Sequence, residues 1–255
     1  MTAILILAGT RPGGDPFAEA LGVPHKSLIE LDGKTLLARV VRAARDAGMD
    51  RIAVSCLEGP VAEAARSLSV DTIPAAAGPS ASVALAFDRL GAPLVVTTSD
   101  HALLRGEWIR ELVHTPSEGA DLAVMLAERE QVQTALPGSK RTYLRLADGH
   151  WSGCNLFYLK TPAARRAIDL WSMVEADRKR PLRIATRLGP GTLLAMLLGR
   201  LTMAEAIARL GHRIGLKAEL VAATNGLGAV DIDKQSDLDT VRALLSDRSQ
   251  GATEI

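Results

Sequence analysis

Ala3-Ile4-Leu5-Ile6-Leu7-Ala8-Gly9-Thr10-Arg11-Pro12-Gly13-Gly14-Asp15 is a short apolar run that breaks into a glycine-rich loop carrying one arginine. A continuous apolar run of this length reads as a strand covered on both faces. The loop behind it presents several backbone N–H groups to an anion. Gly9, Gly13 and Gly14 let the main chain turn sharply and come close to a ligand, since no Cβ intervenes. Arg11, and Lys26 in the later stretch Pro24-His25-Lys26-Ser27-Leu28, bring positive charge to the same end of the strand. The loop suits a polyphosphate.

Working outward, strand-like and helix-like segments alternate. Leu36, Leu37, Val40, Val41, Ala44 and Ala47 recur at helical spacing, and Gly48 is placed to stop that helix. Residues 51–56, 70–74 and 92–99 read as strands, with helices over 61–68 and 80–90. This rhythm implies a parallel sheet with right-handed crossovers. Further on, 121–127 and 154–160 read as strands separated by a polar stretch, and 161–174 as a helix with Pro162 in its first turn. The segment 188–210 suggests two short helices. Strands over 217–223 and 229–232 would close the sheet, and 237–245 is a last helix. The expectation is one α/β domain over 1–246, with its two halves meeting at about residue 127. A flexible polar tail would follow at 247–255.

The balance of charge excludes several classes. Thirty Lys and Arg against 29 Asp and Glu give +1, so no basic field marks a nucleic-acid binder. Cys56 and Cys154 are isolated, and the five histidines lack metal-ligand spacing. No segment approaches the roughly 20 apolar residues of a membrane span. The apolar amino terminus runs straight into the glycine loop, unlike a signal peptide. A cytoplasmic protein without stable membrane insertion is expected; a homodimer is left open.

Asp100 closes the strand over 92–99, and in open α/β sheets ligands gather beyond the carboxyl ends of the strands. A carboxylate there can hold Mg²⁺ against phosphate oxygens, or else simply cap a turn. In Asp231-Ile232-Asp233, an extended backbone would put both acids on one side. Asp233 is equally suited to capping the last helix. Gly33-Lys34-Thr35 imitates the end of a P-loop, but the glycine required five residues earlier is Leu28. Neither a GxGxxG fingerprint nor a GxSxG elbow is present.

LAGTRPGGD, PHKSL and DGKTLL, in that order, resemble the opening of the MobA-like nucleotidyltransferases. VDIDKQSDL resembles that family's carboxy-terminal VDIDTPEDL-type motif. The usual opening is closer to LAAGxGxRM followed by PKxLxxLxGKPLL. Here one residue is missing near the first glycines, and His25 stands between the proline and the lysine. The resemblance implies a three-layer α/β/α architecture with a mostly parallel, Rossmann-like sheet of the nucleotide-diphospho-sugar transferase type, with a nucleotide-binding half over about 1–127 and an acceptor-binding half over about 128–246. It implies that Arg11 and Lys26 are catalytic, and that Leu7, Ala8, Gly9, Thr10 and Gly13 bind the nucleotide. Gly78, Ser80 and Ser82, which also suit an ordinary capped helix start, would lie against the base. Asp100 and Asp233, assisted by Asp231, would hold Mg²⁺. Asn155, in a G-x-N-like strand entrance, would face the acceptor. Arg180 and Arg183, within a run that equally suits a solvated surface, would grip its phosphate.

The implied reaction passes NMP from an NTP, CTP or GTP favoured, to a small phosphorylated acceptor, with pyrophosphate released. Loss of Lys26 or Asp100 is expected to abolish turnover and spare the fold. Two other readings stand beside it. A glycosyltransferase of the same fold would usually carry D-x-D where this chain has Ser99-Asp100-His101-Ala102. A non-catalytic nucleotide-binding module would have no need of both Asp100 and Asp233. The apolar stretch 193–201 reads as core, or as shelter for a lipid-like acceptor tail.

Overall fold

The computed structural model describes residues 1–10, 13–177 and 189–251. The strands of its main sheet are β1 (Ala3–Leu7), β4 (Arg51–Cys56), β5 (Asp71–Pro74), β6 (Leu94–Thr98), β7 (Leu122–Glu128), β9 (Gly149–Leu159) and β10 (Ala218–Ala222). They are ordered β10-β7-β9-β6-β1-β4-β5. A short β8 (Leu144–Leu146) pairs with β9 off this path. β1 lies parallel to both β4 and β6, and β10 parallel to β7, whereas β9 runs antiparallel to β6, β7 and β8. The sheet is therefore mostly parallel, as expected.

Alternation along β1 explains the two helical layers. Ile4 and Ile6 enter one apolar cluster, and Ala3 and Leu5 the other. The first cluster receives α2 (Leu36–Asp46), α3 (Pro60–Ser67) and α5 (Gly106–His114), through residues such as Val40, Val61 and Ile109. The second receives Val83 and Phe87 of α4 (Pro79–Leu90) and Ile168 of α7 (Arg165–Ala176). Complete burial of a large aliphatic side chain stabilises by about 1.5–3 kcal/mol, so this two-sided burial dominates the fold's energetics.

The remaining elements are α1 (Pro16–Ala20), the hairpin of β2 (Glu30–Leu31) and β3 (Lys34–Thr35), α6 (Arg129–Ala135), α8 (Pro190–Leu197), α9 (Met203–Arg213) and α10 (Gln235–Gly251). The hairpin disposes of the P-loop imitation. Asp32 and Gly33 turn it with φ of 49° and 70°, and Thr35 Oγ1 caps α2 by accepting from Ala38 N–H at 3.2 Å.

Several expectations are corrected. Residues 229–232 form no strand; a 3-10 turn (Gly226–Ala229) leads into an irregular segment that leaves the sheet edge and crosses to Asp100. The polar stretch after β7 holds α6 and β8, which are too short for periodicity to reveal. The last helix runs from Gln235 to Gly251 instead of ending near 245, because no glycine or proline interrupts it earlier. Helical structure thus covers residues 247–251 of the expected flexible tail. Among the described residues no helix is long and apolar enough to cross a membrane.

Candidate active site

β1 and β6 are adjacent, yet the chain leaves β1 toward β4 and β5 before returning to β6 on the other side. This reversal is a topological switch point, where ligands of open α/β sheets bind. Leu7 and Thr98 end the two strands in register, and Ser99 N–H donates to the Leu7 carbonyl at 2.9 Å. The glycine loop and Asp100 are thereby set side by side.

Ala8 is buried, whereas Gly9 and Thr10 are exposed at the mouth of the sheet. Gly13 and Gly14 adopt φ of 97° and 82°, a left-handed backbone that side chains disfavour. Asp15 then starts α1 by accepting from Phe17 N–H at 3.0 Å. Arg11 lies outside the described residues, as do Arg180 and Arg183.

Lys26 occupies a 3-10 turn (Lys26–Leu28) that packs on α2. His25 builds the turn: it is buried, and its Nδ1 accepts from Ser27 N–H at 3.0 Å. Burial holds His25 below its usual pKa, against an opposing contact with the Gly9 backbone. The residue that departs from the usual opening therefore packs as a neutral cap between the lysine turn and the glycine loop.

The Lys26 ammonium binds both candidate metal acids. It contacts Asp100 Oδ2, and it donates to Asp233 Oδ1 at 3.0 Å. Asp100 is 6% exposed, whereas the Asp233 side chain is 65% exposed at the rim. Burial alone would raise the Asp100 pKa, but the Lys26 charge together with hydrogen bonding to the carboxylate outweighs it, and the carboxyl stays below its usual range. Burial alone would depress Lys26, and the paired acids, Asp100 first, hold it above its usual value instead. Asp233 arrives because Ile232, fully buried, anchors its segment and donates N–H to the Asp100 carbonyl at 3.2 Å.

The residues present fit a hard divalent cation. Asp100 and Asp233 already reach one cationic centre, and Asp100 Oδ1 is buried with no hydrogen-bond partner. Among the described residues no three His, Cys, Asp or Glu side chains converge on a metal position. Two carboxylates alone leave coordination sites for phosphate oxygens and water, the usual habit of Mg²⁺.

Asp231 is not brought to this point. Its Oδ1 accepts from Arg141 Nη2 at 2.6 Å and its Oδ2 from Asn155 Nδ2 at 3.0 Å. Burial raises its pKa despite Arg141, with Asp233 and Asp100 adding to the rise. Asn155 reaches it from a bulge in β9, where the register against β7 shifts and Asn155 takes φ of 50°. Arg141 lies in the aperiodic stretch between α6 and β8, and sequence reasoning missed it for want of any pattern there.

At the expected base site, Gly78 caps α4 and its residues are turned inward. Ser82 Oγ accepts from Ala76 N–H at 2.9 Å, and Ser80 Oγ donates to Glu175 Oε2 at 2.5 Å. Glu175, in the last turn of α7, carried no sequence signal of its own. His101, next to Asp100, is buried in the core with its ring 6.2 Å from that of Trp108, and Asp100 is the one acid of Ser99-Asp100-His101-Ala102.

A Rossmann-like sheet with a glycine loop, a lysine and two convergent acids at its switch point defines a nucleotide-handling transferase class. The chain belongs to the MobA-like NTP transferase family, whose domain model matches residues 4–220. It is similar to the structure of a hypothetical transferase from Thermus thermophilus, at 30% identity and a TM-score of 0.76, over 93% of this chain and 98% of that one. It shares its fold with a CMP:2-keto-3-deoxy-manno-octonic acid synthetase complexed with CTP (16% identity, TM-score 0.60, 97% and 99% of the chains). The fold is shared too with a 2-C-methyl-D-erythritol 4-phosphate cytidylyltransferase from Thermus thermophilus (15% identity, TM-score 0.52, 96% and 98%). No curated protein matches the chain.

Proposed function

We propose that the protein is a Mg²⁺-dependent nucleotidyltransferase that moves an NMP group from CTP or GTP to a small phosphorylated acceptor. The observation that carries this reading is the meeting of Asp100 and Asp233, far apart in sequence, on the Lys26 ammonium beside the glycine loop. Family membership and the two cytidine-nucleotide enzymes of the same fold agree with it. An acceptor phosphate oxygen attacks the α-phosphorus in line, the bond to the β-phosphate oxygen breaks, and pyrophosphate leaves. Such a transfer depends on positioning and charge neutralisation more than on a nucleophilic side chain.

Gly9 and Gly13, with Arg11, are the residues that would cradle the departing phosphates. Lys26 offsets charge developing around the α-phosphate, which requires its ammonium to exchange an acid partner for a phosphate oxygen. Asp100 and Asp233 are the residues that would hold Mg²⁺, which when bound supplies Lewis-acid neutralisation of phosphate oxygens. The glycosyltransferase alternative is disfavoured because the position two residues after Asp100, where a D-x-D would carry its second acid, is Ala102.

The test is thermal unfolding with each of the four NTPs, with and without Mg²⁺, followed by pyrophosphate release. A ligand at 100 times its Kd stabilises the native state by about 2.7 kcal/mol. One nucleotide is expected to raise the Tm selectively in the presence of Mg²⁺. Absence of stabilisation by all four would end this reading.

A further inference from the structure

Arg141 is a guanidinium beside the site, and the proposed reaction leaves it unused. It and Asp231 are largely covered, with side chains 17% and 18% exposed. Both Asp231 oxygens are committed, one to Arg141 and the other to Asn155. A buried ion pair contributes little net stability compared with apolar packing, so the fold alone does not call for one here. The guanidinium also has spare capacity. Arg141 Nε is buried without a hydrogen-bond partner, and so is the Tyr143 hydroxyl two residues on. Arg129, at the start of α6, lies 5.9 Å from the centre of the Tyr143 ring. A buried donor left unmade costs about 1–3 kcal/mol, which an acceptor oxygen of a bound ligand would relieve.

The pair also stands beside the reacting centre. Asp231 and Asp233 flank the buried Ile232, whose N–H is bonded to the Asp100 carbonyl. We propose that Arg141, aimed by Asp231 and Asn155, forms with the Tyr143 hydroxyl an anion subsite that takes the phosphate of the acceptor. The identity of that ligand as the acceptor rests on the nucleotidyl-transfer reading; the affinity for phosphate does not. A planar fork held on one side by a carboxylate leaves its remaining N–H groups in fixed directions for a phosphate. Asp231 is then a positioning residue that acts on the guanidinium.

The experiment is inorganic phosphate binding to the full chain, followed by ³¹P NMR, with and without the nucleotide that stabilises the protein. The wild type is expected to keep a bound phosphate that saturating nucleotide does not displace. Arg141→Gln is expected to weaken that phosphate about 10- to 100-fold, with nucleotide binding unchanged within about twofold. Arg141→Lys, which keeps the charge and loses the fork, should fall between, and Asp231→Asn should weaken phosphate less than Arg141→Gln. If Arg141→Gln does not fold because Asp231 is stranded, Arg141→Gln/Asp231→Asn removes both charges together and takes its place. Phosphate wholly displaced by nucleotide in the wild type, or retained in the Arg141 variants, overturns the proposal. If no nucleotide binds, the transferase reading fails, and equal phosphate affinity of wild type and Arg141→Gln still decides the subsite.

Discussion

Lys26 carries more of the molecule than a transition-state cation need carry. Its contact with the buried Asp100 makes it part of the folded state's electrostatics, so the expectation that its loss would spare the fold needs revision. Lys26→Ala is expected to lower turnover by about 10²- to 10³-fold in a pyrophosphate-release assay. It should also cost about 2–4 kcal/mol in urea unfolding, discounted for the partial exposure of Lys26, since Asp100 is left charged and unpaired. Lys26→Ala/Asp100→Asn should recover much of that stability and remain inactive. Full stability in Lys26→Ala would show that the pair contributes nothing to folding.

His101 gives the residue scale its pH dependence. Burial pushes its pKa down to about 4, so the folded state keeps the ring neutral. Between its ordinary 6.5 and about 4 the unfolded chain binds a proton that the folded chain refuses. Stability is therefore fully present above 6.5 and falls as the pH drops through that window, by on the order of 3 kcal/mol. His25, depressed by burial in the same direction, adds to the slope. Urea midpoints measured from about pH 7.5 to 4 should show this fall in the wild type, and a flatter profile in His101→Gln.

At the scale of elements, the turn over 226–229 decides whether the second acid reaches the first. A Cβ on Gly226 would be driven into the Gln131 carbonyl oxygen and Val132 N, both fixed in α6. The same atom on Gly228 would meet only ordinary contacts, with Cys154 Sγ at 3.7 Å and the Trp108 ring at 3.8 Å. Gly226→Ala is thus expected to destabilise by more than about 2 kcal/mol and to reduce turnover as Asp233 shifts, and Gly228→Ala to change stability by under about 1 kcal/mol. Paired urea titrations and rate measurements separate them; equal effects would mean that α6 gives way.

The same scale shows where reading by pattern stops. The strands β1, β4 and β6 and the helix α2 are long and periodic, and their residues announce them. Arg129 to Leu146 alternates between short elements whose side chains follow neither period, so Arg141 was invisible there. Ala229 to Ile232 has strand-like composition because Ile232 is core, and composition alone does not distinguish a buried crossing segment from a strand.

Across the whole molecule, one sheet carries both apolar clusters, and the two proposed halves share it. Trp108 lies in one cluster and Trp171 packs against the other. A single cooperative transition is expected, with tryptophan fluorescence and far-UV circular dichroism giving one urea midpoint. Separate midpoints would divide the halves into independent units.

Local pattern determined the elements and the anion loop of this protein: a strand period, a helix period and glycines at sharp turns are properties of neighbouring residues, and they survive in a linear chain. Lys26, Asp100 and Asp233 could be named from the linear chain, by motif. Their joint grip on one point, the diversion of Asp231 to Arg141 and the closing of Ser80 by Glu175 belong to tertiary structure. Those contacts join side chains distant in sequence, and strand order, a β9 bulge and the packing of a 3-10 turn on α6 set their distances. Backbone geometry of that kind is fixed only when the whole sheet closes its core.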